Sequence, residues 1–267
     1  MSSVELIRSL DDPRVAGYRK LNDFAWLKSE GLFVAEGRLV LRRLIPSTRF
    51  ETQSILLTPA AVQSLGAALD ATRAPIYVVQ QELMNEIAGF NIHRGCLALG
   101  KRPAAATLDL PSLSTLQRVV VLEGVNNPDN VGGIFRSAAA FGADLVVLGP
   151  DCGDPLYRKA VRTSMAATLA VPFVSAGEWP GALTNIRNNG FLVVALTPDA
   201  SVESINDVPA DPRTALVLGA EGNGLSSDAM VAANVRVRIP TTSLVDSLNV
   251  TTAASIAMHH FFGRHVQ

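Results

Sequence analysis

Residues Val119–Gly149 read VVVLEGVNNPDNVGGIFRSAAAFGADLVVLG. Val119–Leu122 is a short, unbroken apolar run, which reads as a strand buried on both faces. A polar loop follows, then a helix through Phe141 and a second apolar strand, Asp144–Gly149. Strand, helix and strand at this length form the crossover unit that joins parallel neighbours. The pattern continues downstream: a helix over Pro155–Leu169, strands over Phe191–Leu196, Thr214–Gly219 and Arg236–Pro240, then a helix from about Ser247 to Phe262. The spacing predicts an α/β fold, a mostly parallel sheet with helices on both faces. Ligands of such sheets bind at the carboxyl ends of strands, so chemistry belongs in the loops after Gly124, Gly219 and Pro240.

Upstream, shorter elements alternate. Pro13–Lys28 has helical spacing, with Val15, Tyr18, Leu21, Phe24 and Ala25 on one side. Strands follow at Gly31–Gly37, Ser54–Thr58, Ile76–Gln80 and Gly95–Gly100, with Arg38–Ile45 helical and Pro59 opening another helix. This compact α/β unit is too small for a dinucleotide-binding fold. The stretch KRPAAATLDLPSLST, Lys101–Thr115, is rich in proline and small residues and marks a boundary. Two domains are expected, residues 1–102 and 116–267, joined by a linker over 103–115.

Composition narrows the function classes. The 267 residues are 48% hydrophobic and 18% charged, with a mean hydropathy of +0.25, which excludes intrinsic disorder and supports a core without disulfides. No apolar run is long enough for a membrane helix, and Met1–Asp12 carries acids where a secretory leader needs an apolar centre. Cys96 and Cys152 lack ligand spacing, so neither metal nor disulfide is expected, and a reducing cytoplasm is the default. Residues 1–102 carry 13 Lys and Arg against 10 Asp and Glu; the remainder carries 10 against 14. That asymmetry permits nucleic-acid binding without demanding it.

The three loops share an unusual composition. The first offers Asn126, Asn127, Asp129 and Asn130 as caps and hydrogen-bonding groups, and Gly132 and Gly133 open the backbone where the helix begins. The second, Leu218–Ser226, sets three glycines around Glu221. The third, Ile239–Ser255, is a polar, proline-led entry to a helix of small residues. The glycine run follows about the fifth strand rather than opening a first βαβ unit, and there is no phosphate-cradling loop with its lysine, so nicotinamide and ATP chemistry lack a signature.

Taken in order, the segments Asn127–Ala138 (NPDNVGGIFRSA), Leu216–Ser226 (LVLGAEGNGLS) and Ile239–Ala257 (IP, then DSLNVTTAASIA) resemble the three motifs of the SpoU/TrmH-type RNA 2′-O-ribose methyltransferases of the SPOUT superfamily. Lys159–Pro172 resembles the stretch between motifs, with Ala166 where the family commonly has glycine. Phe33–Ile45 and Ile92–Gly100 resemble the L30e-like RNA substrate-binding domain that often precedes this catalytic domain. The third motif departs from the family in placing Thr241, Thr242 and Ser243 after its proline.

The resemblance implies a C-terminal trefoil knot, S-adenosylmethionine as cofactor, no metal, RNA as substrate and a homodimer with active sites near the subunit interface. Carried over residue by residue, it implies cofactor contacts at Gly219, Gly222, Gly224, Ile239 and Leu248. The catalytic set would be Arg136, Asn130, Glu221, Ser247 and Asn249. Asn130 at the helix start and Arg136 six residues on are expected to face one cleft. A guanidinium stays protonated, so Arg136 suits the holding of an RNA phosphate or ribose and the lowering of the hydroxyl pKa better than general-base work. Ser247 and Asn249 would cap the last helix, and Glu221 would serve its own loop or pair with Arg136 across the dimer. Arg38, Arg42, Arg43 and Arg94 are the RNA-binding candidates. The rival reading is a catalytically silent RNA-binding or ribosome-assembly protein on the same fold.

Overall fold

The structure is a computed structural model that describes residues 4–263. The chain divides into two compact units, residues 1–104 with 156–169, and residues 105–155 with 170–267.

The first unit is built on a five-stranded mixed sheet. Its elements are β1 (Val4–Leu6), a 3₁₀ helix (Pro13–Lys20), α1 (Phe24–Ser29), β2 (Leu32–Glu36), α2 (Arg38–Leu44), β3 (Thr52–Leu57), α3 (Pro59–Leu65), β4 (Ile76–Val78), α4 (Gln81–Ala88) and β5 (Cys96–Lys101). The strand order is β1-β4-β3-β5-β2, with β5 antiparallel to both neighbours. The single helix expected over Pro13–Lys28 is two. Asp23 accepts the Trp26 N–H at 2.9 Å and so caps a fresh start for α1. Tyr18, Leu27, Val34, Leu56, Met84 and Leu97 close one core cluster.

The second unit carries α5 (Leu110–Leu113), β6 (Arg118–Leu122), α6 (Pro128–Ala140) and β7 (Leu145–Leu148). The chain then contributes α7 (Arg158–Thr163) to the first unit, where it packs on β2 and Arg158 pairs with Glu36 at 3.4 Å. It returns as β8 (Phe173–Ser175), α8 (Gly181–Asn188), β9 (Leu192–Leu196), β10 (Glu203–Ser204), β11 (Thr214–Leu218), α9 (Ser227–Ala232), β12 (Val235–Arg238) and α10 (Val250–Phe262). The seven strands run β10-β12-β9-β11-β6-β7-β8, and all six neighbouring pairs are parallel. Alternation decides which face each side chain serves. Val119, Val121, Val147, Val193 and Val217 cluster with residues of α8 and α9. The intervening buried residues, Val120, Leu122, Val146 and Leu216, point to the opposite face, where α10 packs on β11 and on α6.

Three expectations need correction here. The helix read over Pro155–Leu169 is only Arg158–Thr163, because Met165 and Ala166 turn left-handed (φ 52° and 68°) before a 3₁₀ turn at Ala167–Leu169. Residues 156–169, assigned from sequence to the second domain, pack with the first unit. Within the stretch read as linker, Leu110–Leu113 is helical and Thr107 bridges to Ser175.

Candidate functional site

Three loops at the carboxyl ends of β6, β11 and β12 build the site, with β9 lying between β11 and β12. The first leaves β6, and its helix starts cleanly: Asn127 Oδ1 accepts the Asp129 N–H at 2.8 Å, and Pro128 occupies the first turn, where a missing N–H costs nothing. The second leaves β11 and doubles back. The Gly224 N–H donates to the Ala220 carbonyl at 3.0 Å, and a side chain on Gly219 would begin 2.3 Å from the Gly224 carbonyl carbon. Only glycine fits at position 219. Gly222 and Gly224 hold positive φ, 87° and 67°, as the turn requires. The third loop leaves β12 and enters α10 through Asn249, whose Oδ1 accepts the Thr251 N–H at 2.9 Å.

These loops surround a cavity of about 330 Å³. Gly219, Gly222, Gly224, Ile239 and Leu248, the five residues implied as cofactor contacts, all line it, with Glu221, Ser247 and Asn249. Thr241, the first residue of the departure in the third motif, lines it as well. A second recess of about 270 Å³, bounded by Asn126, Asn127, Asn130, Asp151 and Asn223, shares Ala220, Glu221 and Val250 with the first.

Asn249 holds the wall between the two spaces. Its Nδ2 donates to Asn130 Oδ1 at 3.0 Å and to Glu221 Oε1 at 2.7 Å, so one residue from each loop meets at a single amide. Thr251 Oγ1 lies 3.3 Å from Asn130 Oδ1 and strengthens the junction. The Cys152 thiol donates to the Leu122 carbonyl at 3.3 Å, and burial pushes its pKa up.

Several sequence readings change. Arg136 does not join Asn130: Asn130 is buried, whereas Arg136 is exposed on another side of α6. Six residues along a helix rotate a side chain well away from the first. Within the chain, Glu221 Oε1 accepts from Asn249 Nδ2 at 2.7 Å. Ser247 does not cap α10, which starts three residues later with Asn249 as its cap. Gly133 serves packing rather than ligand access, because a side chain there would begin 2.5 Å from Thr251 Cγ2 of α10. Leu196, which ends β9, and Thr197 and Pro198, which follow it, line the main cavity and went unread. A parallel β9 beside β11 exposes that loop, and strand order is not written in a single sequence.

In the first unit, Arg38, Arg42 and Arg43 are exposed along α2, with Arg42 donating to the Ser64 carbonyl at 2.7 Å. Arg94 is exposed beside Gly37, which precedes the same helix. Among the described residues no group of His, Cys, Asp and Glu is arranged to hold a metal, and no helix is long and apolar enough to cross a membrane.

An open, wholly parallel sheet with its glycine and asparagine loops gathered at the carboxyl ends is the α/β architecture that binds ligands in those loops. The SpoU rRNA methylase family profile matches residues 117–259, and the chain belongs to that family of RNA methyltransferases. It is 39% identical over 259 residues to an uncharacterized tRNA/rRNA methyltransferase of Mycobacterium bovis, covering 93% of this chain and 88% of the relative. It is 28% identical to a 23S rRNA (guanosine-2′-O-)-methyltransferase of Nitrosomonas europaea, over 77% and 80% of the two chains. An AdoMet-bound rRNA methyltransferase from Sinorhizobium meliloti shares the fold, with a TM-score of 0.83, 23% identity and 99% coverage of both chains.

Proposed function

We propose that the protein transfers a methyl group from S-adenosylmethionine to a ribose 2′-hydroxyl of RNA, with ribosomal RNA preferred over tRNA as substrate. The carrying observation is the pair of adjoining spaces separated by the Asn130–Asn249–Glu221 junction. The larger has the size of a small-molecule site. Its apolar Leu196, Ile239 and Leu248 suit an adenine, and its glycine-loop backbone offers N–H and C=O groups free of side chains. Glu221 and Asp246 line it too and complement a cationic ligand. The cofactor supplies an electrophilic methyl on a sulfonium; no metal is needed for such a displacement.

The chain's own groups then have defined tasks. The smaller recess takes the acceptor nucleotide and aims its 2′-oxygen at the junction. Asn249 fixes Asn130 and Glu221 so that the approach is in line, which is where much of the rate of a bimolecular displacement comes from. Ser247, on the cavity wall, orients the ligand. Arg136, which faces away from its own chain's junction, holds an RNA phosphate or ribose and stabilises charge developing on the oxygen at the partner subunit's site across the dimer.

Arg136 is exposed on α6 next to α10, whose Ile256 is also exposed. A homodimer built on these two helices would set Arg136 at an interface, and that arrangement is part of the proposal. So are the trefoil knot, which the return of residues 239–249 past the loops after β9 and β11 supports, the L30e-like character of the first unit, its RNA contacts through Arg38, Arg42, Arg43 and Arg94, and a cytoplasmic setting.

The test is calorimetric titration with S-adenosylmethionine, followed by methyl transfer to total RNA and alkaline digestion. Ribose methylation blocks cleavage at the modified nucleotide, so labelled methyl recovered in alkali-resistant dinucleotides is expected. Label in mononucleotides alone would place the methyl on a base. RNA binding with no cofactor binding would establish the silent RNA-binding protein instead.

A further inference from the structure

Glu123 is a buried acid that the proposed chemistry does not use. It follows β6 directly and is 8% exposed, with no ion pair among the described residues. A carboxylate so placed is costly to bury unless its oxygens find donors. Both do. Oε1 accepts the indole N–H of Trp179 at 2.8 Å, and Oε2 accepts the backbone N–H of Ser226 at 2.9 Å. The residue's own N–H donates to the Leu218 carbonyl at 2.9 Å.

Leu218 immediately precedes the glycine loop, and Ser226 ends it and caps α9 through its hydroxyl. One residue therefore ties both ends of the 219–226 loop, one through its backbone and the other through its carboxylate. Between these ties the loop is mostly glycine and exposed polar residues. Glycines lose the most conformational entropy on ordering, so such a loop keeps its shape only if its ends are fixed.

We propose that Glu123 is a positioning residue for the cofactor: it holds the Gly219–Ser226 loop in the binding-competent shape, so that affinity for S-adenosylmethionine is set partly from behind the pocket. This rests on reading the larger cavity as the cofactor site. Glu123→Gln is nearly isosteric but keeps only one acceptor, and its NH₂ meets an N–H that already points at it. The variant should bind S-adenosylmethionine about tenfold more weakly in calorimetry and raise its KM correspondingly. The KM for RNA and kcat at saturating cofactor should stay within about threefold of wild type. Trp179→Phe removes the other donor and leaves Ser226 tied, so its affinity should shift less. Independently of any ligand, hydrogen exchange of the 219–226 amides should accelerate in Glu123→Gln and not in distant loops.

Wild-type cofactor affinity in Glu123→Gln, or a loss of kcat with KM unchanged, would overturn the proposal, as would unaltered exchange in the loop. A wild-type protein that binds no S-adenosylmethionine would instead overturn the cofactor reading, and the proposal with it, before any variant is compared.

Discussion

The two units spend their polar residues differently. At the carboxyl end of the parallel sheet, Asn130 at the start of α6 and Glu221 of the glycine loop meet at the Asn249 amide, whose Nδ2 lies 3.0 Å from Asn130 Oδ1 and 2.7 Å from Glu221 Oε1. Of the four RNA-binding candidates on the first unit, Arg38, Arg43 and Arg94 are exposed with no such network among the described residues, and Arg42 donates to the Ser64 carbonyl. A junction of fixed amides provides geometry, which a displacement reaction needs. A set of exposed cations provides attraction, which a polyanion rewards without demanding precise placement. Arg136 is the interesting intermediate. It lies on the helix that carries Asn130, yet it is as exposed as the arginines of the other unit.

The variant with the largest expected effect decides to which group Arg136 belongs. If it stabilises charge at the reacting oxygen, Arg136→Ala lowers kcat by about 10²–10³-fold and leaves cofactor affinity unchanged. If it only attracts RNA, the loss falls on the KM for RNA and fades at low salt. Steady-state kinetics at two ionic strengths separate these outcomes.

Asn249 comes next. Asn249→Ala removes the cap of α10, worth about 1 kcal/mol, along with both donations, and methyl transfer should fall by up to about 10²-fold through lost positioning. Asn249→Asp keeps an acceptor for the Thr251 N–H but cannot donate to Asn130 or Glu221. Transfer should fall as far as in the alanine variant while thermal stability falls less from lost capping. Equal retention of activity in both variants would reduce the junction to a structural cap.

The sequence displayed this half of the contrast more clearly than the other. Two of the three loops follow strands with unbroken apolar runs, β6 and β11, and the third follows the alternating VRVR of β12; the parallel sheet and the cavity-lining residues follow from that. What stayed hidden depends on strand order and on distance along the chain. The Leu196–Pro198 wall became visible only once β9 lay between β11 and β12. The task of Gly133 depends on α10, more than a hundred residues away. Short elements such as β1, β8, β10, α8 and α9 lack the length over which a period can be read. Residues 156–169 show the same limit: Arg158 reads as a helix residue, and its partner Glu36 is contributed by a distant strand.

The other half of the contrast predicts smaller and more diffuse effects. Replacing Arg38, Arg42, Arg43 and Arg94 together by Gln should weaken RNA binding at physiological salt, with kcat at saturating RNA preserved. Each lost phosphate contact flattens the slope of log K against log salt by roughly 0.7 for single strands. Binding isotherms at four salt concentrations measure this directly. An unchanged slope would remove the arginines from the RNA surface and leave the first unit without an electrostatic role.

The smallest expected effects concern the end of α7, where the same comparison of built and open positions applies to neighbouring residues. The Met165 N–H donates to the Arg162 carbonyl at 3.0 Å and the Ala166 N–H to the Val161 carbonyl at 3.0 Å, the two bonds of a Schellman ending. Both residues sit in the left-handed region, where a β-carbon costs about 1–2 kcal/mol. Glycine relieves that cost but returns about 0.4–1 kcal/mol as freedom of the unfolded chain. Met165 is 45% exposed, so Met165→Gly surrenders little burial and should stabilise by about 0.5–1 kcal/mol in urea unfolding. The Ala166 methyl is fully buried, and its removal forfeits about 0.8 kcal/mol more. Ala166→Gly should therefore lie within about 0.5 kcal/mol of wild type, even though the family commonly places glycine at this position. A gain above 1 kcal/mol at Ala166 would mean that backbone strain outweighs the packing of its methyl group.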